Sequence, residues 1–129
     1  MVAILMNAYI RHEWCGIEWA AMEALGKTRL PNTHFRGIIP VQFRKTELPS
    51  SVAALQMIDI SQESIQGKRY YSTRHFREQV QRIVAQILEI AGLMHKNGCK
   101  AEAGEFQLPT VSAFARMQTP LQPPPGRSR

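Results

Sequence analysis

The fold turns on the stretch VAILMNAYIRHEWCGIEWAAMEALG, residues 2 to 26. It opens on Val2-Ala3-Ile4-Leu5-Met6, a continuous apolar run, the pattern of a strand buried on both faces in a parallel sheet. Asn7 can cap the segment after it, and the spacing predicts a helix from about residue 11 to Leu25, closed by Gly26 in the left-handed position that glycine tolerates. A buried strand that feeds a helix is the first half of a parallel crossover unit.

Projected at about 100° per residue from Trp14, the residues Ile17, Ala21, Leu25 and Met22 gather around the indole and predict a buried stripe centred there. Glu18 falls at ~40°, inside that stripe, whereas Glu23 falls at ~180°, in solvent. A carboxylate on a packing face must be paired, reach a cleft or be neutralised. One reading pairs Glu18 with an arginine such as Arg44 at the rim of the core. The other makes it a functional carboxylate beside Trp14, one turn earlier, with the indole as a pocket wall.

Further along the chain, Gly37 to Phe43 reads as a second short strand, with Pro40 implying an edge, a strand end or a bulge. Leu48-Pro49-Ser50-Ser51 is a turn into a short helical or irregular segment, Leu55 to Ile60 a third strand, and Ser61 to Tyr71 a polar loop. Phe76, Val80, Ile83, Val84, Ile87, Ile90, Ala91 and Met94 follow three-and-four spacing and predict an amphipathic helix, capped by Ser72 or Thr73 and closed by Asn97-Gly98. Strands separated by helices give an α/β layered domain with a parallel sheet. The folded unit is expected over residues 1–94. Residues 95–129, basic and with a proline run at Pro123 to Pro125, are expected to be a disordered tail.

The chain has 129 residues, of which 44% are apolar, enough for one core. Its formal net charge of +6 divides equally between residues 1–94 and 95–129, with no dense basic block or interleaved aromatic ladder, so nucleic-acid binding is not favoured. No apolar run approaches the roughly 18 residues of a membrane span, and the first residues do not read as a signal peptide. Cys15 and Cys99 form no C-x-x-C pair, which fits a reducing cytoplasm. His12 and Cys15 find no further ligands at zinc spacing, so no metal site is expected. Sequence identifies no base partner for Cys15, and there is no Gly-rich phosphate loop.

The segment Ala8-Tyr9-Ile10-Arg11-His12-Glu13-Trp14-Cys15-Gly16-Ile17-Glu18 resembles the Tyr-x-x-Ser-x-Trp-Cys-x-x-Glu segment of Toll/interleukin receptor (TIR) domains. Gly37-Ile38-Ile39-Pro40-Val41 with Leu48-Pro49 resembles the next strand and loop of that family. Ile58-Asp59-Ile60-Ser61 resembles its last strand, and the helix from Phe76 to Met94 its last helix. Met6 and His12 depart from serines of the family pattern. The resemblance spans residues 2 to 94 and covers only the C-terminal half of a TIR domain. A strand, a helix, a second strand and a long loop would precede Val2, so the chain is expected to be N-terminally truncated relative to the family.

This resemblance implies a flavodoxin-like parallel sheet with flanking helices that self-associates with other TIR domains in signal transduction and innate immunity. Many members cleave the nicotinamide–ribose bond of NAD⁺ with the glutamate matching Glu18. Trp14 and Tyr9 would then line the nucleotide site, NAD⁺ being substrate rather than cofactor. A carboxylate beside the ribose stabilises the positive charge that grows as nicotinamide leaves. The implied hydrolase requires the missing half. The alternative is a non-catalytic module working through TIR–TIR contacts. Val2 to Met6 would in either case be an apolar edge strand without a neighbour on one side.

Overall fold

A computed structural model describes residues 1–61, 72–98 and 106–117. Strands β1 (Val2–Leu5), β2 (Ile39–Gln42) and β3 (Ile58–Asp59) form a three-stranded parallel sheet in the order β1-β2-β3. Helices α1 (Asn7–Arg11) and α2 (Glu13–Arg29) connect the first two strands, α3 (Ser50–Ala53) lies between the second and third, and α4 (Arg74–Lys96) follows. The protein is therefore an α/β fold with a small parallel sheet between helices. Among the described residues, no helix is long and apolar enough to cross a membrane.

The register sorts the side chains into two layers. Val2 pairs with Ile39 and Ile4 with Val41, so these four share one face, and Ala3 and Leu5 take the other. On the second face Ala3 and Leu5 pack with Ile10, Trp19, Ile38, Val52 and Phe114. On the first, Ile39, Val41, Ile58 and Ile60 pack with Leu30 and with Ile90 of α4. Coverage of that face stops short of β1. Val2 is 39% and Ile4 41% exposed, so the run expected to be buried on both faces is buried on one, because β1 is the sheet's edge among the described residues.

Pro40 sits within the central strand without cost. Ile39 and Phe43 donate to the Met1 and Leu5 carbonyls on the β1 side, so the alternate residues Pro40 and Gln42 turn toward β3, where the Gln42 carbonyl accepts from Ile60. β3 begins pairing only at Val41, one residue after the donor that proline lacks.

Three helix boundaries differ from expectation. The first helix begins at Asn7, whose side-chain oxygen accepts from the Thr46 hydroxyl instead of capping, and it breaks at His12 (φ −86°, ψ 122°) before α2 starts. Gly26 does not end α2, which runs three residues further to Arg29. The glycine is needed for close approach: a Cβ there would stand 2.1 Å from the Arg36 carbonyl oxygen. α4 matches its predicted signals, with Thr73 Oγ1 accepting from the Phe76 amide at 3.2 Å and Gly98 following at φ 63°.

The expected boundary at residue 94 is corrected too. α4 continues to Lys96, and residues 106–117 bring Phe114 into the core at 1% exposure, ending in a single 3-10 turn, Ala115–Met117. The polar loop expected at 61–71 lies outside the described residues from 62 onward, as do 99–105 and the proline-rich residues 118–129.

Candidate functional site

The residues singled out by sequence lie on α1 and α2. Tyr9 comes from α1, and Trp14, Cys15 and Glu18 from the first turns of α2, brought alongside by the break at His12. His12 gives α2 no side-chain cap, although its carbonyl accepts from the Gly16 amide at 3.3 Å.

The burial of α2 is not centred where the helical projection put it. Trp14 is 64% exposed and Glu18 is exposed, while Trp19 is 1% exposed and Gly16 and Gly26, on its side of the helix, are buried; within the projected stripe Ala21 is buried and Ile17, Met22 and Leu25 are partly so. The face centred on Trp19 lies ~140° around the helix from Trp14. The projection allowed α2 one covered face, whereas the segment 106–117 packs along it as well, and neither cover reaches Trp14. Glu18 faces solvent and has no ion pair or hydrogen bond among the described residues, so the pairing with Arg44 is not made. Glu23, expected in open solvent, is partly buried and pairs with Arg36 at 3.3 Å.

Tyr9, Cys15 and Glu18 are nonetheless close enough to feel one another. Burial first, then the charges of Cys15 and Glu18, push the Tyr9 hydroxyl up to about 12. That hydroxyl is buried with no hydrogen-bond partner among the described residues. Burial and then Glu18 also raise the Cys15 thiol, against a smaller opposing effect of its own backbone amide. No group of three or more His, Cys, Asp or Glu side chains among the described residues is arranged to hold a metal ion.

What sequence reasoning missed is the segment that lies over this part of α2. The Ala113 amide donates to the Gly16 carbonyl at 3.0 Å, and the Phe114 ring stands 5.5 Å from Trp19 and 6.1 Å from Tyr9. Two clefts flank the segment. One, of about 490 Å³, separates it from Leu48, Pro49, Ser50 and Ser51; the other, of about 290 Å³, is lined by Asn7, Ile10, Arg11, Glu47, Arg116 and Met117. Neither is lined by Glu18 or Trp14. Two residues carried a readable signal: Gly16 inside a helical pattern, and Phe114 as an isolated aromatic among Ser112, Ala113 and Ala115.

No family model, curated protein or solved structure matches this chain.

Proposed function

We propose that this chain is a TIR-type association module of cytoplasmic signal transduction and immune defence, joining other TIR-type chains and not cleaving NAD⁺ by itself. The observation that supports it best is the outer edge of β1. Odd-numbered residues of β1 spend their backbone groups on β2, so the N–H and C=O of Val2 and Ile4 point outward, beneath side chains that are themselves exposed. The same sheet face carries α4, whose Val80, Val84 and Ile87 are also exposed. An edge whose backbone is unpaired among the described residues and whose side chains are apolar is a template for a further strand. The order of the TIR-like motifs along a parallel sheet agrees with this reading.

Sedimentation across a concentration series tests it. The chain should self-associate or bind an added TIR domain, and Ile4→Lys, which puts a charge on that edge, should abolish the association. A monodisperse, folded monomer at high concentration, with no binding to any TIR domain, rejects it.

NAD⁺ hydrolysis is the second reading, supported by the TIR-like order of Tyr9, Trp14, Cys15 and Glu18 along the chain. It requires the strand-helix-strand half of a TIR-type domain, supplied in trans, to wall in a carboxylate that is open here. Nicotinamide release by such an assembly should disappear with Glu18→Ala; equal turnover removes Glu18 from the chemistry.

A further inference from the structure

The contact between α2 and residues 112–114 has the form of a bound peptide in a slot. A Cβ on Gly16 would fall 1.7 Å from Ser112 Oγ, 2.8 Å from Ser112 Cβ and 3.3 Å from Phe114 Cδ2, so the segment lies directly on the helix backbone where a side chain is missing. One main-chain hydrogen bond, from Ala113 to Gly16, fixes its register. One side chain, Phe114, fills the hole beside Trp19 and Tyr9. The segment shapes itself for this. The Phe114 amide donates to Ser112 Oγ at 3.1 Å, the Ala115 amide to the Ser112 carbonyl at 3.2 Å, and the Met117 amide to the Phe114 carbonyl at 2.8 Å.

Outside residues 112–114 and Met117 the segment is largely exposed. Val111 is 68% and Leu108 64% exposed, and the cleft of about 490 Å³ separates residues 111–117 from Leu48 and the start of α3. Attachment through one aromatic anchor and one register bond, with Ala113 and Met117 packing beside the anchor, is how short linear peptides are recognised.

We propose that the slot between α1 and α2 is a peptide-docking site for a small-small-aromatic sequence, filled in this structure by the chain's own Ser112-Ala113-Phe114 and filled in an exchanged dimer by the same segment of a second copy. The second copy is the occupant because it carries the matching element: the shape, the register bond and the aromatic anchor are those of the closed form. Exchange needs no new surface, and each copy gives and receives the same element. The inference is independent of the β1 edge.

Two full-length variants test it by complementation. Gly16→Ala blocks the slot and leaves the segment intact; Phe114→Ala spoils the segment and leaves the slot empty. Carrying Ile4→Lys to silence the β1 edge and labelled as a fluorescence donor and acceptor, the two should form a one-to-one heterodimer when mixed, while each alone stays monomeric. A labelled peptide spanning Val111 to Met117 should bind the Phe114→Ala chain at least tenfold more tightly than the wild-type chain, whose own segment competes, and should not bind Gly16→Ala. The same peptide with Ser112→Gly should recover binding to Gly16→Ala. Where Phe114→Ala loses its helical circular dichroism, Ser112→Val, which crowds the segment off its own slot without opening a cavity, takes its place. A mixture that remains monomeric overturns exchange, and a peptide that binds neither variant, or both equally, overturns the slot.

Discussion

Gly16 and Ser112 meet across the surface of α2 so closely that the Cβ the glycine lacks would stand 1.7 Å from Ser112 Oγ. Two effects therefore oppose each other in Gly16→Ala. Alanine favours a helix interior over glycine by about 1 kcal/mol, yet it drives the 112–114 segment off the helix and exposes Phe114. Loss of a buried phenylalanine's packing is worth about 3 kcal/mol or more, so Gly16→Ala should be net destabilising in urea titration. Adding Ser112→Gly removes both of the closest atoms and should restore most of the loss. A double-mutant cycle with no coupling between the two positions would deny the contact.

Thr73 gives a more local case, because its cap acts within one helix turn. Its hydroxyl accepts from the Phe76 amide, one of the donors that a helix start leaves unsatisfied. Thr73→Ala should cost about 1 kcal/mol and Thr73→Ser or Thr73→Asp much less, read from the urea midpoint at unchanged slope.

These two sites also mark what could be read from the sequence. The α4 helix was legible to within two residues at its start because threonine, a long apolar stripe and Asn97-Gly98 are local signals that act within one element. The parallel strands were legible as apolar runs for the same reason. The candidate site on α2 was not. Projection onto a helical wheel assumes one covering surface, and the large indole of Trp14 drew the stripe toward itself. The true burial centres on Trp19 because a segment more than 90 residues away along the chain supplies a second cover through Phe114. Gly26 failed for a related reason: local signals cannot distinguish a glycine that ends a helix from one that admits a crossing backbone, here the Arg36 carbonyl.

Tyr9 should make stability fall in alkali. Its hydroxyl titrates at about 12 in the folded chain against an ordinary 10.0, burial being the first cause. Between those values the unfolded chain gives up a proton that the folded chain keeps, so rising pH favours unfolding. The contribution is complete below pH 10 and is lost as pH rises toward 12. Because the side chain is only half-buried, the loss is smaller than a two-unit shift would give in a dry site. The melting temperature of the wild type should drop across this window more than that of Tyr9→Phe, since every other group is common to both. Parallel curves would mean that the hydroxyl is solvated.

The two tryptophans of α2 separate the observed helix orientation from the expected one. Trp14 is 64% exposed and Trp19 is 1% exposed against the Phe114 ring. Trp14→Ala should therefore change stability by no more than about 0.5 kcal/mol, as surface substitutions do, whereas Trp19→Ala should cost about 3–5 kcal/mol through the cavity it opens. Fluorescence reads the same difference without a stability measurement: an exposed indole emits to the red and is quenched by iodide, so Trp14→Phe should leave a blue-shifted, protected emission and Trp19→Phe a red-shifted, quenchable one. Were the two variants to exchange these behaviours, α2 would be turned with Glu18 inward, and the carboxylate would again face the core beside an indole.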